Sequence, residues 1–129
     1  MVEVLLSART RAQDPAAVTL VKDCLINTNR AALRNAVRSV SLHRVDLTDL
    51  LPQVPVPTLF ITGAEHQGFS PQQARIAANL LPEGSSAVIA DAAYLVPLEA
   101  PDETARLIRQ FWSTHTAPRP ASPGPGSEA

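Results

Sequence analysis

Apolar positions along the first stretch of this chain, from Met1 to about Ser41, fall at helical steps of three and four. Leu5, Leu6, Ala8 and Ala12 begin the pattern. Asp14-Pro15 reads as a helix start, with Asp14 as N-cap and Pro15 at the first helical position. Val18, Val21, Cys24 and Leu25 then share one face, so Cys24 is expected in the core. Asn27-Thr28-Asn29 breaks the pattern, and Thr28 or Asn29 is placed to cap the next helix. Its apolar stripe is Ala32, Leu33, Ala36, Val37 and Val40, with Arg30, Arg34 and Arg38 along another face. A solvated face is the simple reading of that arginine row, and an anion site the sharper one.

Past Leu42 the spacing loosens. Asp46 to Leu51 suits a helical turn, and Pro52, Pro55 and Pro57 exclude a continued helix. Thr58-Leu59-Phe60-Ile61-Thr62-Gly63 is a short apolar run of β-formers, expected as a parallel strand buried on both faces. Ser70-Pro71-Gln72-Gln73 is a capping box with proline at the first helical position. The helix it opens runs through Ala74, Ile76, Ala77, Leu80 and Leu81 to Pro82. Ser86 to Ala90 reads as a second apolar strand, and Asp91 to Ala100 as a loop. Pro101-Asp102-Glu103 opens a last helix with acids at the positive end of its dipole. Ala105, Leu107, Ile108, Phe111 and Trp112 form its apolar face, expected as core. The Pro-, Ser- and Gly-rich remainder is expected to be disordered.

The fold class is therefore α/β, with strand, helix, strand, helix implying a right-handed parallel unit. Three segments follow: 1–45 helical, 46–114 α/β, and 115–129 a disordered tail. Two strands make an incomplete parallel sheet with bare edges, so a homo-oligomer or a partner chain is expected to complete it.

Composition narrows the function classes. The 129 residues carry a formal net charge of −1 with no long run of one sign, which argues against nucleic acid or an anionic membrane as partner. Cys24 is the sole cysteine, so a disulfide within the chain is excluded and a cysteine-based zinc site is not expected. His43 and His115 lack metal-ligand spacing, and neither metal nor cofactor is expected. The N-terminus lacks a basic region before its short apolar stretch, and no apolar run approaches the ~20 residues that span a bilayer. A cytoplasmic location is the expectation.

From Asp46 to Trp112 the ordered features resemble the C-terminal part of the α/β-hydrolase family. That family leads into its penultimate core strand with D-L-x-x-x-L-x-x-I-x-V-P-T-L-x-I-x-G. Here the segment stands as Asp46-Leu47, Leu51, Val54 and Val56-Pro57-Thr58-Leu59-Phe60-Ile61-Thr62-Gly63. Ser70-Pro71-Gln72-Gln73-Ala74, Leu81-Pro82 and Ala87-Val88-Ile89 match the helix and strand that follow. The family's G-H-x-x-x-x-E-x-P is similar to Ala93-Tyr94-Leu95-Val96-Pro97-Leu98-Glu99-Ala100-Pro101, and its final helix to Ile108-Arg109-Gln110-Phe111-Trp112. The N-terminal helices match the end of the family's cap region by position alone.

The resemblance implies ester or C–C bond hydrolysis by a Ser-His-acid triad, which needs a nucleophile, a base, an orienting acid and oxyanion donors. Within these residues no G-x-S-x-G nucleophile elbow occurs. Tyr94 stands where the catalytic histidine would be. Phenols ordinarily hold their proton to about pH 10, so a tyrosine makes a poor base at neutral pH. Glu65, two residues past Gly63, is the candidate orienting acid, and His66 the candidate relocated base. A solvent-exposed loop histidine and a packed loop aromatic are the plainer readings of His66 and Tyr94. Glu99 resembles a family glutamate that is usually structural. The expectation is a truncated hydrolase-type chain, a pseudoenzyme inactive alone. The alternatives are a non-catalytic binding or oligomerisation module, or one subunit of a split hydrolase.

Overall fold

The computed structural model describes residues 1–116. The N-terminal third is helical, in pieces set by their caps. Helix α1 (Val2–Leu5) is a single turn, and α2 (Ala8–Gln13) starts at Ser7, whose hydroxyl accepts the Thr10 amide. Helix α3 (Pro15–Asn27) starts where the sequence placed it: the Asp14 carboxylate accepts from Ala17 N–H at 2.9 Å. Of the two candidate caps for α4 (Arg30–Val37), Asn29 does the work, with its side-chain oxygen accepting from Ala31 and Ala32. A π-helical turn (Arg38–Leu42) and a 3-10 turn (Thr48–Gln53) lead into the sheet.

Strand β1 (Thr58–Gly63) pairs in parallel with β2 (Gly84–Ile89), in register from Thr58↔Gly84 to Gly63↔Ile89. Helix α5 (Pro71–Leu80) crosses between them and packs on both strands. Its capping box is formed as expected: Ser70 Oγ accepts from Gln73 N–H at 3.3 Å, and Gln73 Oε1 accepts from Ser70 N–H at 2.8 Å. A short helix, α6 (Val96–Glu99), interrupts what the sequence suggested was loop, and α7 (Pro101–His115) closes the described chain. Strand β2 begins two residues before the expected Ser86 and ends one before Ala90, because Gly84 and Ser85 already pair with Thr58 and Leu59. Helix α7 runs to His115, and the disorder expected over the tail otherwise falls outside the described residues.

The core is small and alanine-rich. Ile89, Ala92 and Val96 form its centre, with Ile61, Ala100 and Leu107 against them. Ala74, Ala78 and Leu81 are buried along α5, and Leu6, Ala17 and Val21 lie inside the N-terminal helices. Three expectations fail here for one reason, the scarcity of neighbouring elements. Cys24 is exposed rather than core. Trp112 is 63% exposed, although it lies on the apolar face of α7. The apolar stripe of α4 and of the π-helical turn after it, which spacing alone did not place in the core, is open to solvent too, with Leu33, Val37 and Val40 all exposed. Nor is β1 buried on both faces: Leu59, Phe60 and Ile61 are only half-buried, while Thr62 and Gly63 are buried. Spacing showed which side chains share a face. It could not supply the layer that covers that face.

Candidate active site

The C-terminal ends of β1 and β2 deliver the loops that carry the candidate residues, as parallel α/β units generally do. Glu65 and His66 follow Gly63, and Tyr94 follows β2. Gly63 sits so tightly under the second loop that an added Cβ would run into the backbone of Ala92 and Ala93. Only glycine permits that approach. The loops are tied by Ala64 N–H donating to Ile89 O and Glu65 N–H donating to Ala92 O, both at 2.9 Å.

This contact brings His66 and Tyr94 together. Their rings stack with centroids 3.7 Å apart and planes inclined by 25°. The Nδ1 atom of His66 accepts the Phe69 N–H at 2.8 Å. In the neutral ring this fixes the proton on Nε2, so that nitrogen is a donor rather than a proton acceptor. The Tyr94 hydroxyl lies over Gly68, where a Cβ would meet it.

Glu65 is occupied differently. Its Oε2 accepts the Ala8 N–H at 2.9 Å, and among the described residues no hydrogen bond joins it to His66 or Tyr94. Glu99 grips the adjacent amide: Oε2 accepts from Ser7 N–H at 2.7 Å, and Oε1 from Ala93 N–H at 2.8 Å. Burial works to raise the Glu99 pKa, but the two backbone donors, joined by the Ser7 and Thr10 side chains, hold it below its ordinary value of 4.5. Two carboxylates from the α/β unit thus clamp successive amides at the start of α2. Sequence reasoning marked Glu99 as structural, but neither Ser7 nor Ala8 carried any signal, because they act through backbone N–H groups that every residue except proline has.

Beside the clamp lies a cleft of about 370 Å³ lined by Arg9, Asp91, Glu99, Asp102 and Glu103. Arg9 pairs with Asp91 at 3.3 Å across it, both side chains being more than half exposed. Asp91 holds a positive φ of 53°, a conformation short acidic side chains tolerate. Among the described residues no group of His, Cys, Asp and Glu is arranged to hold a metal ion, and no helix is long and apolar enough to cross a membrane.

No family model and no curated protein matches the chain. Solved structures do. A thermophilic esterase from Thermogutta terrifontis, determined with malate bound, superimposes with a TM-score of 0.77 at 28% identity, over 90% of this chain and 43% of its own. The chain has a hydrolase-type α/β fold. Est816, described as an N-acyl homoserine lactone degrading enzyme, matches over 85% of this chain and 44% of its own, with a TM-score of 0.70 and 24% identity. The second likeness speaks to fold alone. The chain spans less than half the length of either structure.

Proposed function

We propose that residues 46–114 are the C-terminal core unit of an esterase-type α/β-hydrolase, that 1–45 are the end of its cap, and that the chain does not hydrolyse esters by itself. The observation that carries this reading is the cluster at the strand ends. His66 and Tyr94 stack at the strand ends, with Tyr94 at the position the resemblance gives to the triad base, while Glu65, the candidate acid, accepts the Ala8 backbone amide instead. No G-x-S-x-G stands among the 129 residues to supply a nucleophile. The arrangement keeps the scaffold of a triad without its proton path.

The test is direct. The purified chain should take no label from a fluorophosphonate probe and should turn over a nitrophenyl acetate ester no faster than a Glu65→Gln, His66→Gln, Tyr94→Phe triple variant. Stoichiometric labelling of a serine, or turnover abolished by that triple change, would overturn the reading.

A further inference from the structure

The N-terminal helices meet the α/β unit at a joint of one chemical kind. Among the described residues, every hydrogen bond or ion pair across it ends on a carboxylate of the α/β unit. Glu99 Oε2 accepts the Ser7 N–H at 2.7 Å, and Glu65 Oε2 accepts the Ala8 N–H at 2.9 Å. Asp91 Oδ2 accepts from the Arg9 guanidinium at 3.3 Å. The three donors are consecutive in the chain, at the start of α2. Among the described residues no backbone–backbone hydrogen bond crosses the joint, although each side is laced by its own.

Glu99 is the central member, because it alone holds buried groups on both sides. Its oxygens accept one amide each, Ser7 from the helices and Ala93 from the loop after β2, and both residues are buried. A carboxylate can accept at both oxygens, whereas a carboxylic acid turns one of them into a donor. A proton on Glu99 therefore leaves one buried amide without its acceptor, which is costly. The Ala93 bond lies within the α/β unit, six residues from Glu99 in sequence, so the Ser7 bond is the one that yields. Charged groups face Glu99 across the adjoining cleft from each neighbouring element: Arg9 and Asp14 at the two ends of α2, Asp91 after β2, and Asp102 and Glu103 at the start of α7. Arg9 is the cleft's sole cation, and it is engaged by Asp91, so acid removes the attraction on that side as well.

We propose that Glu99, with Glu65 and Asp91, forms a proton-released latch, and that acid frees helices α1 to α3 from the α/β unit before that unit unfolds. The direction follows from linkage. Burial works against the Glu99 charge, but the amides of Ser7 and Ala93 hold the carboxyl below its ordinary 4.5, so the docked form binds fewer protons than the released one. Docking is fully supported above the ordinary value and is lost as pH falls through the lower, docked value.

Amide exchange, corrected for the intrinsic rate at each pH, reads the release. Protection at Ser7 and Ala8 should fall about tenfold or more as pH drops from neutral to below the ordinary 4.5 of Glu99, while amides in α5 and at Thr58 keep theirs. Glu99→Gln lacks one acceptor at every pH, so Ser7 should be less protected at neutral pH and respond less to acid. Should that variant fail to fold, backbone amide relaxation of the parent chain decides: α3 and α5 should share one tumbling time at neutral pH and show two after release. Loss of protection in α5 and at Thr58 together with Ser7 overturns the proposal, because it is global unfolding. So do Ser7 protection that acid leaves unchanged, a Glu99→Gln profile that matches the parent, or one tumbling time throughout.

Discussion

Glu65 lies just beyond β1 and Glu99 ends α6, and their partners separate what each contributes. Glu99 accepts two backbone amides from distant parts of the chain, Ser7 and Ala93. In Glu99→Gln only one side-chain oxygen remains, so one of those amides loses its acceptor. We expect a loss of about 1 kcal/mol, read as a lower urea midpoint at unchanged slope. Glu65→Gln can turn its amide oxygen to Ala8 and should stay within about 0.5 kcal/mol of the parent. The pH dependence follows from the lowered Glu99 pKa. A group acidified by folding stabilises the folded state above its unfolded pKa, and that contribution is lost as pH falls through the folded value. Stability should therefore decline below about pH 4.5, and the decline should be shallower in Glu99→Gln. Tyr94→His, by contrast, should not create hydrolysis, since the ring would still lie beside a histidine whose Nδ1 is taken and no serine elbow stands within the chain.

At the scale of elements, local signals and tertiary neighbours contribute unequally. The α5 cap is local, and Ser70→Ala removes the acceptor of Gln73 N–H, at an expected cost of about 1 kcal/mol with loss of helical signal at 222 nm on mild heating. Gly63 is the opposite case. It looks like a strand-ending glycine in sequence, yet its need for no side chain comes from a loop some thirty residues later, Ala92 and Ala93. Backbone cannot swing aside as a flexible side chain can, so Gly63→Ala should cost at least ~3 kcal/mol or prevent folding, checked by thermal melts. The same distinction explains α4. Its stripe, continued into the π-helical turn, is amphipathic by spacing, but Val37 and Val40 are 46% and 64% exposed. Replacing both by serine should change stability by less than about 0.5 kcal/mol each, because neither leaves a cavity.

For the whole molecule, the α/β class, both strands, the α5 capping box, the Asp14 cap and the strand-helix-strand-helix order were legible in the sequence. Each rests on information a few residues wide: proline that fixes φ, a hydroxyl that reaches an amide three positions on, a β-branched run between breakers. The short α6 was not legible in a segment with no helical stripe, nor was the exact start of β2, which pairing register decides. What only the tertiary structure decided is which apolar faces find cover and what the candidate residues do. Spacing puts Cys24 and Trp112 on apolar faces expected as core, and the elements present do not enclose either of them. Tyr94 came onto His66, and Glu65 onto Ala8, through contacts between loops and helices far apart in the chain. Periodicity records a side chain's direction relative to its own element. Burial and chemistry depend on what lies in that direction, and that is settled when distant segments pack.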